Sequence, residues 1–447
     1  MATINRRDFL KHSVTATAAA SAAGFSINAA GANERVVLGV MGIRGRGSFL
    51  GPEFAKRNDV EIRYIADPDS RLFSSRAQKL EDVCGRRPQC TQDFRRMLDD
   101  PELDGIINAT PDHWHALGTI LACQSGKDVY VEKPTSHNIW ESRKMIEAAR
   151  KHKRVVQVGA QNRSGEYCYQ AFDYIHSAAF GDVHFVRVLN SKERGAIGKK
   201  EDQPQPPEGV DYDMWLGPAP SRLFNENRFH YAWHWFWDYS GGDIINDGIH
   251  QIDIARWMID RPYPKSVSSA GGIHYFQDDQ ECPDTHTVNW EYDGLTMAFE
   301  QILWAPYMKK TPMDFRDTDN LPNWPFSGTR IEIYGTKQMI FLGRHGGGWE
   351  AFDGDGKSVV KQPGRFSPCN ENHFENFVEC IRTREQPNGD IEKLHHSTLL
   401  SHYGNIAYRT GRRLHIDPVT EGFKDDPEAN AYVKREYRNP WVVPEEV

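Results

Sequence analysis

A lysine and a histidine, far apart in the chain, stand in contexts that turn each toward a cleft. Lys133 lies in Glu132-Lys133-Pro134, directly after the strand-like run Asp128–Val131. Pro134 disfavours helix at the lysine, which therefore sits in a turn beyond a strand. His250 lies in the stretch Gly242-Asp243-Ile244-Ile245-Asn246-Asp247-Gly248-Ile249-His250-Gln251-Ile252-Asp253. Its pattern predicts a helix from about Ile244 to Ile259. Asn246, His250, Asp253 and Trp257 share one face, whereas Ile245, Ile249, Ile252 and Ile259 fall on another. A polar stripe centred on imidazole can line a cleft and move a proton near neutral pH. The competing readings are a surface lysine in a turn and a structural histidine.

The start of the chain shows what this pair could act beside. Arg35–Met41 is an apolar run of strand length, followed by Gly42-Ile43-Arg44-Gly45-Arg46-Gly47. A helix is predicted over Ser48–Arg57, then a strand Glu61–Ala66 ending at Asp67. That is a βαβ unit with an acid about 20 residues past the glycines, where a dinucleotide ribose is held. Gly42, Ile43, Arg44, Gly45 and Arg46 would approach the pyrophosphate, helped by free N–H groups at the helix start. Arg44 occupies the second glycine position of G-x-G-x-x-G. Asp67 favours NAD, because its charge would repel a 2′-phosphate. Arg44, Arg46 and Arg71 leave NADP open. Lys133 and His250 beside such a turn could move a proton while a nicotinamide takes a hydride.

Further candidates follow from position. Thr110, Pro111, His113 and His115 lie between a predicted strand and helix, at the same edge as the glycine turn. Gln161 and Arg163 follow the last strand of the alternating region. Phe229–Trp237 is rich in aromatics. If extended, it places Trp233, Trp235 and Trp237 on one face. Flat rings suit the C–H faces of sugars, with Tyr231 and His234 as polar partners; a packed core strand is the competing reading.

These pieces together resemble the Gfo/Idh/MocA family of glucose–fructose oxidoreductase and inositol dehydrogenase. The resemblance is carried by Gly42–Gly47, Asp67, Asn108-Ala109-Thr110-Pro111-Asp112-His113-Trp114-His115, Glu132-Lys133-Pro134 and the His250–Asp253 helix. Trp215-Leu216-Gly217-Pro218, Ile333-Tyr334-Gly335-Thr336 and Gly404–Arg409 match as well. It implies a Rossmann domain followed by an α/β domain with a large, mostly antiparallel sheet. It gives Lys133 a role in holding the reacting hydroxyl and the nicotinamide ribose. The residue four before the histidine is usually Asp in the family; here it is Asn246, with Asp247 adjacent. Either Asp247 reaches in, or His250 works with Lys133 alone.

The organisation agrees. Arg6-Arg7-Asp8-Phe9-Leu10-Lys11 reads as a twin-arginine export signal, and Ala30-Gly31-Ala32 as its cleavage site. The expected division is a signal peptide over 1–32, an NAD-binding domain over 33–161, and a substrate and oligomerisation domain over 162–447. Strand and helix patterns alternate up to about Gln161, which predicts a parallel sheet. Beyond it, Val183–Asn190, Ser266–Tyr275, Thr285–Tyr292, Thr296–Ile302, Arg330–Tyr334 and Met339–Phe341 read as strands of an antiparallel sheet. The 447 residues carry a net charge of -8, or about -10 without a leader that is itself +2. That argues against nucleic acid or anionic membrane as partners. Seven scattered cysteines with no C-x-x-C pair exclude zinc spacing and a complete disulfide framework.

The expectation is an exported NAD(P)-dependent oxidoreductase, acting on a sugar or sugar derivative as a homo-oligomer. Its catalytic residues would be Lys133 and His250 with Asn246 or Asp247. Glu132 and Gln161 would flank the cofactor; Arg163, Tyr231, Trp233, His234, Trp235 and Asp253 would face the sugar. Its partners would be a carbohydrate and, during export, the twin-arginine translocase. Two alternatives stand beside it: a redox-neutral glycoside hydrolase or epimerase, and a nicotinamide-carrying binding protein without turnover.

Overall fold

The computed structural model describes residues 35–447. The leader read over 1–32 lies outside them. Two sheets organise the chain. The first holds six parallel strands in the order β3-β2-β1-β4-β5-β6. They are β1 (Val36–Met41), β2 (Val60–Ala66), β3 (Gln89–Thr91), β4 (Gly105–Asn108), β5 (Asp128–Val131) and β6 (Val156–Val158). The order reverses between β1 and β4, which opens a crevice at their carboxyl ends.

The central strands feed both faces, as their period of two requires. Leu38, Val40, Ile107 and Tyr130 pack against helices α1 (Gly47–Ala55) and α2 (Phe73–Cys84). Val37, Met41, Ile106, Val129 and Val131 pack on the other face against α3 (Asp112–Gln124) and α4 (Ile139–Lys151). Late segments finish both layers. Phe374 and Phe377 of helix Ser367–Thr383 join the first cluster, while Trp441, Val443 and Val447 join the second. Trp441 meets Trp114 edge-on at 5.3 Å.

The second sheet has nine strands, ordered β14-β13-β12-β11-β7-β10-β9-β8-β15. They are β7 (Val183–Ser191), β8 (Ser266–Gly272), β9 (Thr285–Tyr292), β10 (Leu295–Ile302), β11 (Arg330–Gly335), β12 (Met339–Gly343), β13 (Trp349–Phe352), β14 (Ser358–Gln362) and β15 (Leu414–His415). All neighbouring pairs are antiparallel except β7 with β10. Its apolar face packs on α5 (Glu166–Ile175), α6 (Ile249–Ile259) and, beyond helix α7 (Ser367–Thr383), α8 (Ile391–Thr410). No helix of the described residues is long and apolar enough to cross a membrane. All seven cysteines are free thiols.

Two sequence expectations change here. The helix predicted from Ile244 is a π-helical turn, Ile244–Gly248, leading into α6. Phe229–Trp237 is not extended. His230–Trp235 forms a 3₁₀ helix, whose three residues per turn send alternate tryptophans in different directions.

Candidate active site

A cleft of about 830 Å³ crosses the carboxyl ends of β1, β2, β4 and β5, a size suited to a bound ligand. Gly42 ends β1 at φ +81, and a Cβ there would lie 2.7 Å from the Ala109 carbonyl oxygen. Only glycine lets the two strand ends meet at the crevice. At Gly45 a Cβ would have nothing within 4 Å, so this side of the turn is open for close approach of a ligand. Asp67, at the end of β2, accepts hydrogen bonds from the N–H of Ile43 at 2.9 Å and of Asp69 at 2.9 Å. It thereby ties the glycine turn to the acid that borders the cleft. Burial pushes its carboxyl up to about 6, against the pull of these N–H donors. Arg46 donates to Glu132 at 2.7 Å and meets the Gln161 amide at 2.6 Å. Glu132 stays below the usual carboxylate range because Arg46 and Lys133 outweigh the cost of burial.

Lys133 reaches from the end of β5 to the π turn. Its Nζ donates to the Asn246 carbonyl oxygen at 2.6 Å and approaches the Asn246 Oδ1 at 3.3 Å. Asn246 in turn donates to Asp243 at 3.1 Å. Burial lowers the Lys133 amine. His250 follows in the first turn of α6 and is 8% exposed. Burial, with the nearby His345, Arg344 and Lys133, holds it well below the usual imidazole range. It is thus a neutral base at physiological pH. Tyr231, Trp233 and His234 border the same cleft. His234 stacks on Trp233 at 3.6 Å, and burial lowers its ring to about 3.

Thr110, Pro111, Arg44 and Gln161 also border the cleft, as expected. Eight expected residues do not. Asp247 turns away into a cluster of Lys192, Lys310 and Arg344, the last at 2.7 Å. Burial would raise its carboxyl, but these three cations hold it well below the usual range. Asp247 therefore does not supply the acid that Asn246 lacks. Asp253 pairs with Arg163 at 2.7 Å and accepts from Ser397 at 2.6 Å. Both charges of that pair tie α6 to its neighbours instead of facing substrate. Trp235 is buried beneath Arg194, 3.8 Å from its ring. The Ile43 side chain lies in the core, and only its N–H serves the turn. Arg71 pairs with Asp69 at 2.7 Å. His113 meets the Trp215 carbonyl at 2.9 Å, and His115 meets those of Pro134 at 2.7 Å and Thr110 at 3.0 Å. These two histidines brace the wall from behind.

Other cleft residues were not expected. His345 lies edge-on to His250, 4.4 Å between centroids. It is placed by a loop whose Gly346, Gly347 and Gly348 all have positive φ, and that glycine run was its one sequence signal. Arg316 and Met313 come from the irregular stretch between β10 and β11. Asp112 opens α3, and burial pushes its carboxyl up to about 7.

The cleft's fit to a dinucleotide agrees with the chain's relatives. Residues 36–160 match the oxidoreductase family's NAD-binding Rossmann fold, and residues 191–297 and 335–443 match its C-terminal alpha/beta domain. The scyllo-inositol 2-dehydrogenase (NAD(+)) of Bacillus subtilis is 26% identical over 305 residues, covering 66% of this chain and 73% of that protein. Glycosyl hydrolase family 109 protein 1 of Shewanella sp. (strain MR-4) is 22% identical over 206 residues, covering 41% and 45%. The chain spans 54% and 61% of the length of two further relatives. A levoglucosan dehydrogenase solved with NADH and levoglucosan shares the fold at TM-score 0.60 and 17% identity, covering 85% of this chain and 99% of that one. The chain belongs to the Gfo/Idh/MocA oxidoreductase family, and its first sheet is the NAD-binding Rossmann fold of that family.

Proposed function

We propose that this protein is an exported oxidoreductase that oxidises a carbinol of a sugar or sugar derivative while retaining its NAD between turnovers. The observation that carries this reading is the Lys133–Asn246 contact beside a neutral His250, all on the cleft that the glycine turn and Asp67 border. Gly42, Gly45, Asp67 and Glu132 would hold the cofactor, which supplies the hydride acceptor when bound. With both Asn246 contacts kept, Lys133 has one further position for the sugar hydroxyl. His250 is uncharged and ready to accept a proton. Trp233 and Tyr231 offer flat faces to a ring. Export and retention rest on the Arg6-Arg7 leader in the sequence. Native mass spectrometry of the purified protein, followed by turnover on a sugar panel, tests the reading. Cofactor-free protein that binds NAD only weakly would overturn it.

A second reading is redox-neutral: oxidise, eliminate or invert at the neighbouring carbon, then reduce. The similarity to a family 109 glycosyl hydrolase favours it, as does a second set of proton carriers, Tyr231 and His234, on the same cleft. Turnover in D₂O decides between the two. Deuterium beside the transiently oxidised carbon, with no net NADH, selects the redox-neutral path. Stoichiometric NADH without deuterium selects plain oxidation.

A further inference from the structure

Arg316 lies on the irregular stretch that joins β10 to β11, and its half-buried side chain lines the cleft. The stretch is pinned where it crosses. The Phe366 N–H donates to the Arg316 carbonyl at 3.0 Å. A Cβ at Gly346 would lie 2.3 Å from that same oxygen, so Arg316 abuts the loop that carries Arg344 and His345. Its guanidinium is aimed by Nε, which donates to the Thr311 carbonyl at 3.0 Å, and by the Phe366 ring, 6.0 Å away. That ring lies 4.4 Å from His345, and His345 lies 4.4 Å from His250. Arg316 is thus two rings from the candidate base, on the side of the second sheet.

The two terminal nitrogens of Arg316 have no hydrogen-bond partner and no carboxylate among the described residues. Asp317, next in sequence, turns to the start of α7 instead. It accepts from the Phe366 N–H at 3.1 Å, the Ser367 N–H at 2.6 Å and the Ser367 hydroxyl at 2.8 Å. Of the other cleft arginines, Arg46 is taken by Glu132 and Arg44 stands at the glycine turn. Nor is there a spare anion nearby. Lys192, Lys310 and Arg344 share two carboxylates, Asp243 and Asp247, which leaves one positive charge in excess.

We propose that Arg316 is a subsite for a carboxylate on the substrate, so that the sugar derivative taken by this cleft is a sugar acid. The proposal rests on the oxidoreductase reading above and names its substrate class. With Nε held by Thr311, two N–H groups remain side by side, the fork that matches the two oxygens of a carboxylate. Held at that end, the ring has one carbinol to offer to Lys133 and His250.

The test uses the full chain loaded with NADH and measures binding by calorimetry, without turnover. D-glucuronate, D-galacturonate and D-gluconate are each compared with an uncharged parent, D-glucose or D-galactose. At least one acid should bind about 10- to 100-fold tighter than its parent, the range of a hydrogen bond to a charged group. Arg316→Met should erase that preference while NADH stays bound and the parent sugar binds as before. Arg316→Lys should keep part of it, since a point charge replaces the fork. A preference that survives Arg316→Met in full overturns the subsite. So does a panel in which no acid binds better than its parent. Glucose 6-phosphate binding more tightly than every acid overturns the assignment to a carboxylate. Acids that bind through Arg316 but are never oxidised would instead sink the oxidoreductase reading. Oxidation of uncharged sugars alone would keep that reading and remove the subsite.

Discussion

Lys133 Nζ sits 2.6 Å from the main-chain oxygen of Asn246, joining the end of a parallel strand to a π-helical turn 113 residues later. A main-chain acceptor fixes the amine whatever side chain position 246 carries. The Asn246 side chain then adjusts its charge.

Lys133→Met and His250→Ala should each reduce kcat by about 10²-fold or more while NAD remains bound. Single-turnover rates and native mass spectrometry check both halves. Wild-type turnover in either variant would remove that residue from the chemistry.

Asn246→Asp sets a carboxylate 3.3 Å from the amine. An opposite charge at this range favours the ammonium and should raise its pKa by about one unit or more. If the neutral amine is the working form, the alkaline optimum should move up by the same amount. A pH–rate profile that does not move would show that Lys133 acts only as a cation.

Asp247→Asn leaves Lys192, Lys310 and Arg344 without their shared carboxylate. Removing one partner from a buried ionic cluster costs about 3–5 kcal/mol. Urea unfolding should show that loss. In the wild type the depressed carboxyl contributes stability above its unfolded value of 3.8 and loses it as pH falls through the lower folded value.

Asp112 has the opposite sign. Burial lifts it from 3.8 to about 7, so the folded state binds its proton more tightly than the unfolded state. The stability that this confers is present below the unfolded value and is lost as pH rises through about 7. Asp112→Asn escapes the loss. Its stability relative to wild type should climb by up to about 4 kcal/mol between acidic and alkaline buffer. Urea titrations at several pH values measure this directly.

Gly42→Ala and Gly45→Ala should separate folding from binding. A methyl at Gly42 meets the Ala109 carbonyl oxygen in a positive-φ conformation, so stability should fall by about 1–3 kcal/mol. A methyl at Gly45 meets nothing in the protein. That variant should keep its melting temperature and bind NAD more weakly.

The parallel half of the fold was legible because its strands are short apolar runs separated by amphipathic helices. Asp128–Val131 and Ile139–Lys151 have the expected bounds. Lys133, Asn246, His250 and Asp67 were legible because each sits at a fixed offset from a turn or within a helical stripe. The π turn was not, since a single five-residue turn is too short to show a period of its own. The roles of Asp253 and Asp247 were misread for a related reason. Spacing gives the face of a helix but not the Arg163 or Lys192 that waits opposite it. The 3₁₀ helix at His230 hides within an alternating aromatic string that also reads as a strand. His345 depends on a glycine loop whose path no local pattern sets.

Trp441, Val443 and Val447 join the apolar layer of α3 and α4, so the cofactor-binding half gains its full cover only after residues some way past the second sheet have been made. Its strands emerge early, yet part of their apolar cover is synthesised much later.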